Sequence, residues 1–269
     1  MKSVYDDFTN NVYGNPHSRN PSSQLSGDIV EQVRSRILRY FNTNAESHSV
    51  IFTAGATDAL KLLAESFHWQ AGRDKHGCQH RSCFCYLEEN HTSVVGIRER
   101  AVNSGANIIC VSENDITRGE QDLHLKMCNL HHNNSEDCVT EEQNECCCYN
   151  LFAFPAMCNF SGAKYPLEWV SQTQQGSIFG KCSPLCQWFV LLDAASFVST
   201  SPLDLDSCPA DFVPVSFYKI FGFPTGLGAL IVRNNSSHVL RKCYYGGGTV
   251  QATISSERFH ILRTNLSEK

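Results

Sequence analysis

Short, continuous apolar runs alternate along this chain with stretches whose apolar residues recur every three or four positions. Residues 28–41 place Ile29, Val33, Ile37 and Phe41 four apart, with Arg34, Arg36 and Arg39 between them, which predicts an amphipathic helix. Val50-Ile-Phe-Thr53 is a compact apolar run that breaks at Ala54-Gly55-Ala56 and leads into a helical pattern at Leu60, Leu63, Ala64 and Phe67. A second strand is predicted at 83–87, followed by a helix over about 92–102. Further strands are predicted at 107–111, 151–154, 188–192, 211–215 and 227–232, with a helix beginning at Pro166. Strands buried on both faces read as unbroken apolar runs, and parallel strands need helical crossovers between them. The class is therefore α/β, a mostly parallel sheet sandwiched by helices.

Two stretches depart from that rhythm. Residues 113–150 are polar and acidic and include Cys146-Cys147-Cys148, so they read as a flexible surface insertion. After Val250 no strand–helix rhythm continues.

Composition narrows the picture. A chain of 269 residues with 42% hydrophobic content can build one large core or two modest domains. No apolar run is long enough to span a bilayer, and Met1-Lys-Ser-Val-Tyr-Asp-Asp7 does not resemble a signal peptide, so a soluble cytosolic protein without a membrane partner is expected. A net charge of −5 without a basic stripe gives no reason to expect nucleic acid. The 14 cysteines then read as reduced thiols. Adjacent cysteines cannot all face one ion, and there is no paired Cys-x-x-Cys spacing, so no metal is expected.

In open parallel sheets, ligands bind outside the carboxyl ends of the strands. Gly55-Ala56-Thr57 follows the first strand, where a tight turn, a hydroxyl and the first amides of a helix suit a phosphate; Thr57 and Asp58 equally suit a plain helix cap. His91 follows the strand at 83–87 and could stack on an aromatic group, move protons or cap a helix. Asn159 follows the strand at 151–154. Asp193 closes an almost wholly apolar run, either capping the next turn or meeting a pyridine nitrogen as a partly buried carboxylate. Ser216 and Lys219 end the next apolar run. A lysine there is costly to bury as a cation, and the neutral amine is the form that attacks a carbonyl; the alternative is a lysine whose head reaches water.

Several segments carry a family resemblance: Tyr13-Gly-Asn-Pro-His-Ser18, Phe52-Thr-Ala-Gly-Ala-Thr-Asp-Ala-Leu60, His91-Thr-Ser-Val-Val-Gly96, Asn159-Phe-Ser-Gly162 and Tyr245-Gly-Gly-Gly-Thr249. The longer stretches 191–204 and 216–228 are the most specific. Together they resemble the pyridoxal phosphate (PLP)-dependent cysteine desulfurases and, more closely, the animal molybdenum cofactor sulfurases. The resemblance implies the large domain of a fold-type I PLP enzyme over 1–254, with a divergent tail at 255–269. It implies that Lys219 anchors PLP, Asp193 pairs with the ring nitrogen and His91 stacks on the ring. Ala56, Thr57 and Ser216 would bind the phosphate, and Asn159 would lie near the ring hydroxyl or the substrate carboxylate. The loop before Thr249 would serve the phosphate of a partner subunit in a homodimer. Two positions depart from the desulfurase pattern, Tyr218 in place of a histidine and Ser196 in place of a glutamine, and both keep a hydrogen-bonding group.

The implied activity is transfer of sulfur from L-cysteine to the molybdenum cofactor, which then serves xanthine dehydrogenase and aldehyde oxidase. The family's sulfur-carrying cysteine and its substrate-binding arginine lie further along than Lys219, and the chain is expected to stop before either, as before the small and molybdenum cofactor-binding domains. Another desulfurase or a selenocysteine lyase is one alternative. A non-catalytic fragment that regulates a full-length enzyme is the other.

Overall fold

The computed structural model describes residues 2–73, 79–118, 148–179, 186–223, 225–242, 244–246 and 249–263. Helix α1 (Lys2–Asn10) is exposed throughout. Helix α2 (Pro21–Tyr40) starts well before the 28–41 pattern because Asn20 caps it, its side-chain oxygen accepting the Ser23 N–H at 2.9 Å. Pro21 occupies the first turn, where no backbone donor is needed. Strand β1 (His48–Thr53), helix α3 (Ala56–Ser66), the hairpin of β2 (Ala71–Arg73) with β3 (Gln79–Arg81), and β4 (Cys83–Leu87) follow. The helix expected over 92–102 is two helices, α4 (Thr92–Val95) and α5 (Ile97–Asn103), parted at Gly96.

After β5 (Asn107–Val111) the stretch anticipated as an insertion is narrower than 113–150, since Glu113–Arg118 forms helix α6 and strand β6 (Tyr149–Pro155) begins within it. Cys146, Cys147 and Cys182 lie outside the described residues. Helix α7 begins beyond Pro166 (Glu168–Gln175), and β7 (Gln187–Asp193), β8 (Phe212–Ser216), helix α8 (Phe217–Phe221) and β9 (Gly228–Arg233) complete the sheet. The stretch past Val250 is an antiparallel hairpin of β10 (Val250–Ile254) and β11 (Phe259–Leu262).

The main sheet has seven strands in the order β1-β9-β8-β7-β6-β4-β5. Neighbours from β8 to β5 run parallel, and only β9 opposes its partners, so β1 points the same way as the parallel set. Side chains alternate between two apolar layers. Cys83, Cys85 and Leu87 of β4 face the layer containing Ile37 and Leu38 of α2, Phe41 just after it, and Trp169 of α7. Phe84 and Tyr86 face Leu60 and Leu63 of α3 and Ile97 of α5. This is why the strands lack a polar face.

Proline in an interior strand normally breaks a ladder. Arg233 N–H donates to the Asp211 carbonyl at 2.9 Å and Phe217 N–H to the Leu227 carbonyl at 3.1 Å, so the odd-numbered residues of β8 bond to β9. Pro214 therefore faces β7, where the pairing is reduced to Leu191 with Phe212. The loops after β1, β4, β6, β7 and β8 emerge at the same sheet edge. Among the described residues, no helix is long and apolar enough to cross a membrane.

Candidate active site

The loop after each of these five strands supplies the wall of one pocket of about 140 Å³. Ala56 and Thr57 come from the first turn of α3, His91 from the start of α4, Asn159 from the turn after β6, Asp193 and Ser196 from the end of β7 and beyond, and Ser216, Tyr218 and Lys219 from β8 and α8. Of the residues singled out in the sequence, only Thr249 stands apart from this pocket. Its hydroxyl closes a turn with Gly246, accepting the Gly246 N–H and donating to the Gly246 carbonyl, each at 2.9 Å.

Two glycines allow the turn after β1 to approach β8. Gly55 has φ 146°, a region that L side chains rarely adopt. A Cβ on Gly228 would lie 2.5 Å from the Val215 carbonyl oxygen and 2.7 Å from Gly55 Cα, so only glycine lets β9 pass there. The Ala56 N–H consequently meets Ser216 Oγ at 3.0 Å. The Ser216 oxygen accepts that bond, which leaves its O–H free to donate into the pocket. Asp58 reaches back past the helix start to accept the Ala54 N–H at 3.1 Å, while the Thr57 hydroxyl lies 2.9 Å from Ser93 Oγ. An exposed hydroxyl, a hydroxyl with its O–H unspent among the described residues and the amino end of an 11-residue helix are groups whose chemistry suits an anion.

Lys219 is half-buried, and its ammonium donates to Asn159 Oδ1 at 2.7 Å and to Ser196 Oγ at 3.0 Å. Ser196 in turn donates to the same Asn159 oxygen at 2.7 Å. Ser196 is thus engaged with the lysine, whereas Tyr218 lines the pocket with 43% of its surface exposed.

Asp193 is buried. Its Oδ1 accepts the Ala195 N–H at 3.0 Å, and among the described residues its other oxygen has no hydrogen-bond partner. Burial raises its pKa above the ordinary carboxylate value, against the opposing pull of the Ala195 amide and the nearby Lys219 and His91. His91 caps α4 through Nδ1, which accepts the Ser93 N–H at 3.2 Å. For both residues capping and pocket lining coexist, because the cap uses one polar atom and leaves the other to the cavity.

Ser93, Leu60, Pro155, Met157 and Ala195 also line the pocket and were not marked by sequence reasoning. Ser93 alone had a signal, as a second hydroxyl next to His91 in His91-Thr-Ser93.

The aminotransferase class-V profile matches residues 3–262. Molybdenum cofactor sulfurase of Danio rerio is 50% identical across 100% of this chain, which spans 30% of that protein, and the Homo sapiens protein is 47% identical with 28% of its length spanned. The apo cysteine desulfurase of Thermococcus onnurineus NA1 superposes with a TM-score of 0.71 at 16% identity, covering 99% of this chain and 58% of that one. The cysteine desulfurase CsdA of Escherichia coli gives 0.67 at 16% identity, covering 97% and 57%. These structures share the fold. The chain belongs to the aminotransferase class-V family.

Proposed function

We propose that this chain is the PLP-binding part of a molybdenum cofactor sulfurase, which moves sulfur from L-cysteine to the molybdenum cofactor for delivery to xanthine dehydrogenase and aldehyde oxidase. The observation that carries the reading is the amine of Lys219 held by Asn159 and Ser196 in the same pocket as a buried, half-satisfied carboxylate and an anion subsite. The sequence relatives at 47–50% identity supply the choice of reaction.

The residues fit the cofactor. Ala56 at the amino end of α3, with the hydroxyls of Thr57 and Ser216, would hold the phosphate, Lys219 the aldehyde carbon and Asp193 the pyridine nitrogen. When bound, PLP supplies an electron-withdrawing ring that eases bond cleavage at an attached amino acid. Asp193 would hold a proton on the ring nitrogen, since a carboxylate in a water-poor site strongly favours an opposing cation. His91 would cover the ring, and Asn159 and Ser196, which accept from the Lys219 amine, would orient it. Among the described residues no cysteine lines the pocket, so the thiolate that accepts the sulfur has to arrive from outside its wall.

On this reading residues 1–254 form the cofactor-binding large domain, with an insertion within 113–150 and a tail at 255–269. The working unit is a cytosolic homodimer in which the loop at Thr249 serves the partner's phosphate.

The test is to purify the chain with PLP, record its visible absorption band, and assay alanine release from cysteine. The band should appear and vanish in Lys219→Ala. No band in the wild type would overturn the cofactor assignment. A band without alanine would leave cofactor binding standing and remove independent catalysis by this chain.

A further inference from the structure

Ser93 stands between two pocket residues on different helices. Its hydroxyl lies 2.9 Å from Thr57 Oγ1 and 3.1 Å from His91 Nδ1, and its backbone N–H donates to the same Nδ1 at 3.2 Å. An imidazole nitrogen that accepts a backbone N–H carries no proton, so the neutral ring holds its proton on Nε2. Toward such a nitrogen the Ser93 hydroxyl can only donate. Its oxygen is then free to accept from Thr57 O–H, and the three side chains form a directed chain from Thr57 through Ser93 to His91.

We propose that Ser93 is a positioning residue that couples occupancy of the anion subsite at Thr57 to the hydrogen bonding of His91. The inference rests on reading Ala56, Thr57 and Ser216 as a phosphate subsite. An ionised phosphate oxygen only accepts, so it takes the hydrogen bond of the Thr57 hydroxyl. Thr57 Oγ1 then offers Ser93 only lone pairs, and Ser93 O–H turns toward it. His91 Nδ1 keeps the backbone N–H alone and the ring is held less firmly. No covalent bond changes and no proton changes owner, because the two hydroxyls simply rotate. The residue that faces the cofactor ring thereby responds to whether the cofactor's phosphate is seated.

The full chain, labelled with ¹⁵N-histidine and free of cofactor, is titrated with inorganic phosphate while long-range ¹H–¹⁵N spectra are recorded. His91 is assigned by its loss in His91→Gln, and phosphate binding is followed in parallel by calorimetry, with Thr57→Val tying that signal to the subsite. The wild type should show the pattern of a proton on Nε2, and its Nδ1 resonance should move as phosphate saturates. Ser93→Thr should respond in the same way. Ser93→Ala and Ser93→Gly should bind phosphate and lose the Nδ1 response. An equal response in the alanine and glycine variants would overturn the coupling, as would a wild-type Nδ1 that is protonated or stays still at saturation. If calorimetry records no phosphate binding to any of the proteins, the subsite is refuted and the coupling falls with it.

Discussion

Two buried aspartates, one ending β7 and one just before β8, differ in how fully the protein satisfies their oxygens. Asp211 precedes β8 and spends both oxygens inside the protein. Its Oδ2 accepts the Val190 N–H at 2.8 Å and Gln174 Nε2 at 2.9 Å, and its Oδ1 accepts the Ser236 hydroxyl, with Arg233 4.0 Å away. Asp193 ends β7 with a single amide donor and one oxygen left to the pocket. Burial raises the pKa of both, but the groups opposing the shift at Asp211 are mostly hydrogen bonds, whereas at Asp193 they include the fields of Lys219 and His91. The first arrangement welds α7, β7 and the segment after β9 together. The second leaves an acceptor waiting.

The sharpest way to break this comparison is to remove each carboxylate. Asp211→Ala strands three donors in the interior and should cost about 3–5 kcal/mol in urea unfolding. Asp193→Asn should leave stability at neutral pH unchanged or raised, and should abolish the visible PLP band. The sign follows from linkage. A carboxyl whose folded pKa is raised is most favourable to folding at low pH, and that advantage is lost as pH rises through the folded value. The variant should therefore gain on the wild type as pH rises above the ordinary carboxylate value. Equal destabilisation by the two substitutions would mean that Asp193 is as structural as Asp211.

The backbone offers a second contrast, somewhat smaller. Gly228→Ala drives a Cβ into the Val215 carbonyl and Gly55, both backbone atoms that cannot rotate away, and should cost about 2–3 kcal/mol. Because Gly55 is what it displaces, phosphate binding should weaken as well. Gly27 lies within α2, and a methyl group added there would meet nothing within 4 Å, so Gly27→Ala should stabilise by about 0.5–1 kcal/mol. Thermal melting with and without phosphate separates the two. A harmless Gly228→Ala would show that the approach of β9 to Gly55 does not shape the pocket.

These contrasts also mark what the linear sequence could reveal. The central strands β4 and β6 to β9 were legible because they are buried on both faces, so their apolar runs have no polar interruption to confuse the period. The pocket was legible for a related reason: Asp193 and Ser216 are the first polar groups after such runs, and a parallel sheet brings all those positions to one edge. Ser93 and Gly228 were not legible as site determinants. The role of Ser93 depends on α3 meeting α4, and that of Gly228 on a cross-strand approach to Gly55, and neither contact has a local signature. The start of α2 was missed for a different reason. Its signal is the cap Asn20-Pro21, whereas the apolar period becomes regular only at Ile29.

The end of the sheet remote from the pocket should also titrate in the opposite sense from Asp193. His48 begins β1 and is 2% exposed, with Nδ1 2.7 Å from Thr43 Oγ1. Burial, followed by the positive charge of Arg233, lowers its pKa to about 4. The unfolded imidazole keeps the ordinary value of about 6.5, so the unfolded chain binds the proton first. The contribution of His48 is complete above that value and is lost as pH falls toward the folded one. At 1.36 kcal/mol per unit, the loss by pH 5 is about 2 kcal/mol. Urea unfolding at pH 7 and pH 5 should show this acid loss in the wild type and a flatter profile in His48→Gln, which cannot be protonated. Asp193→Asn should leave the His48 component intact while removing the opposing carboxyl component, so its acid loss should be steeper than that of the wild type. Identical profiles for wild type and His48→Gln would remove the buried imidazole as the cause of the acid loss.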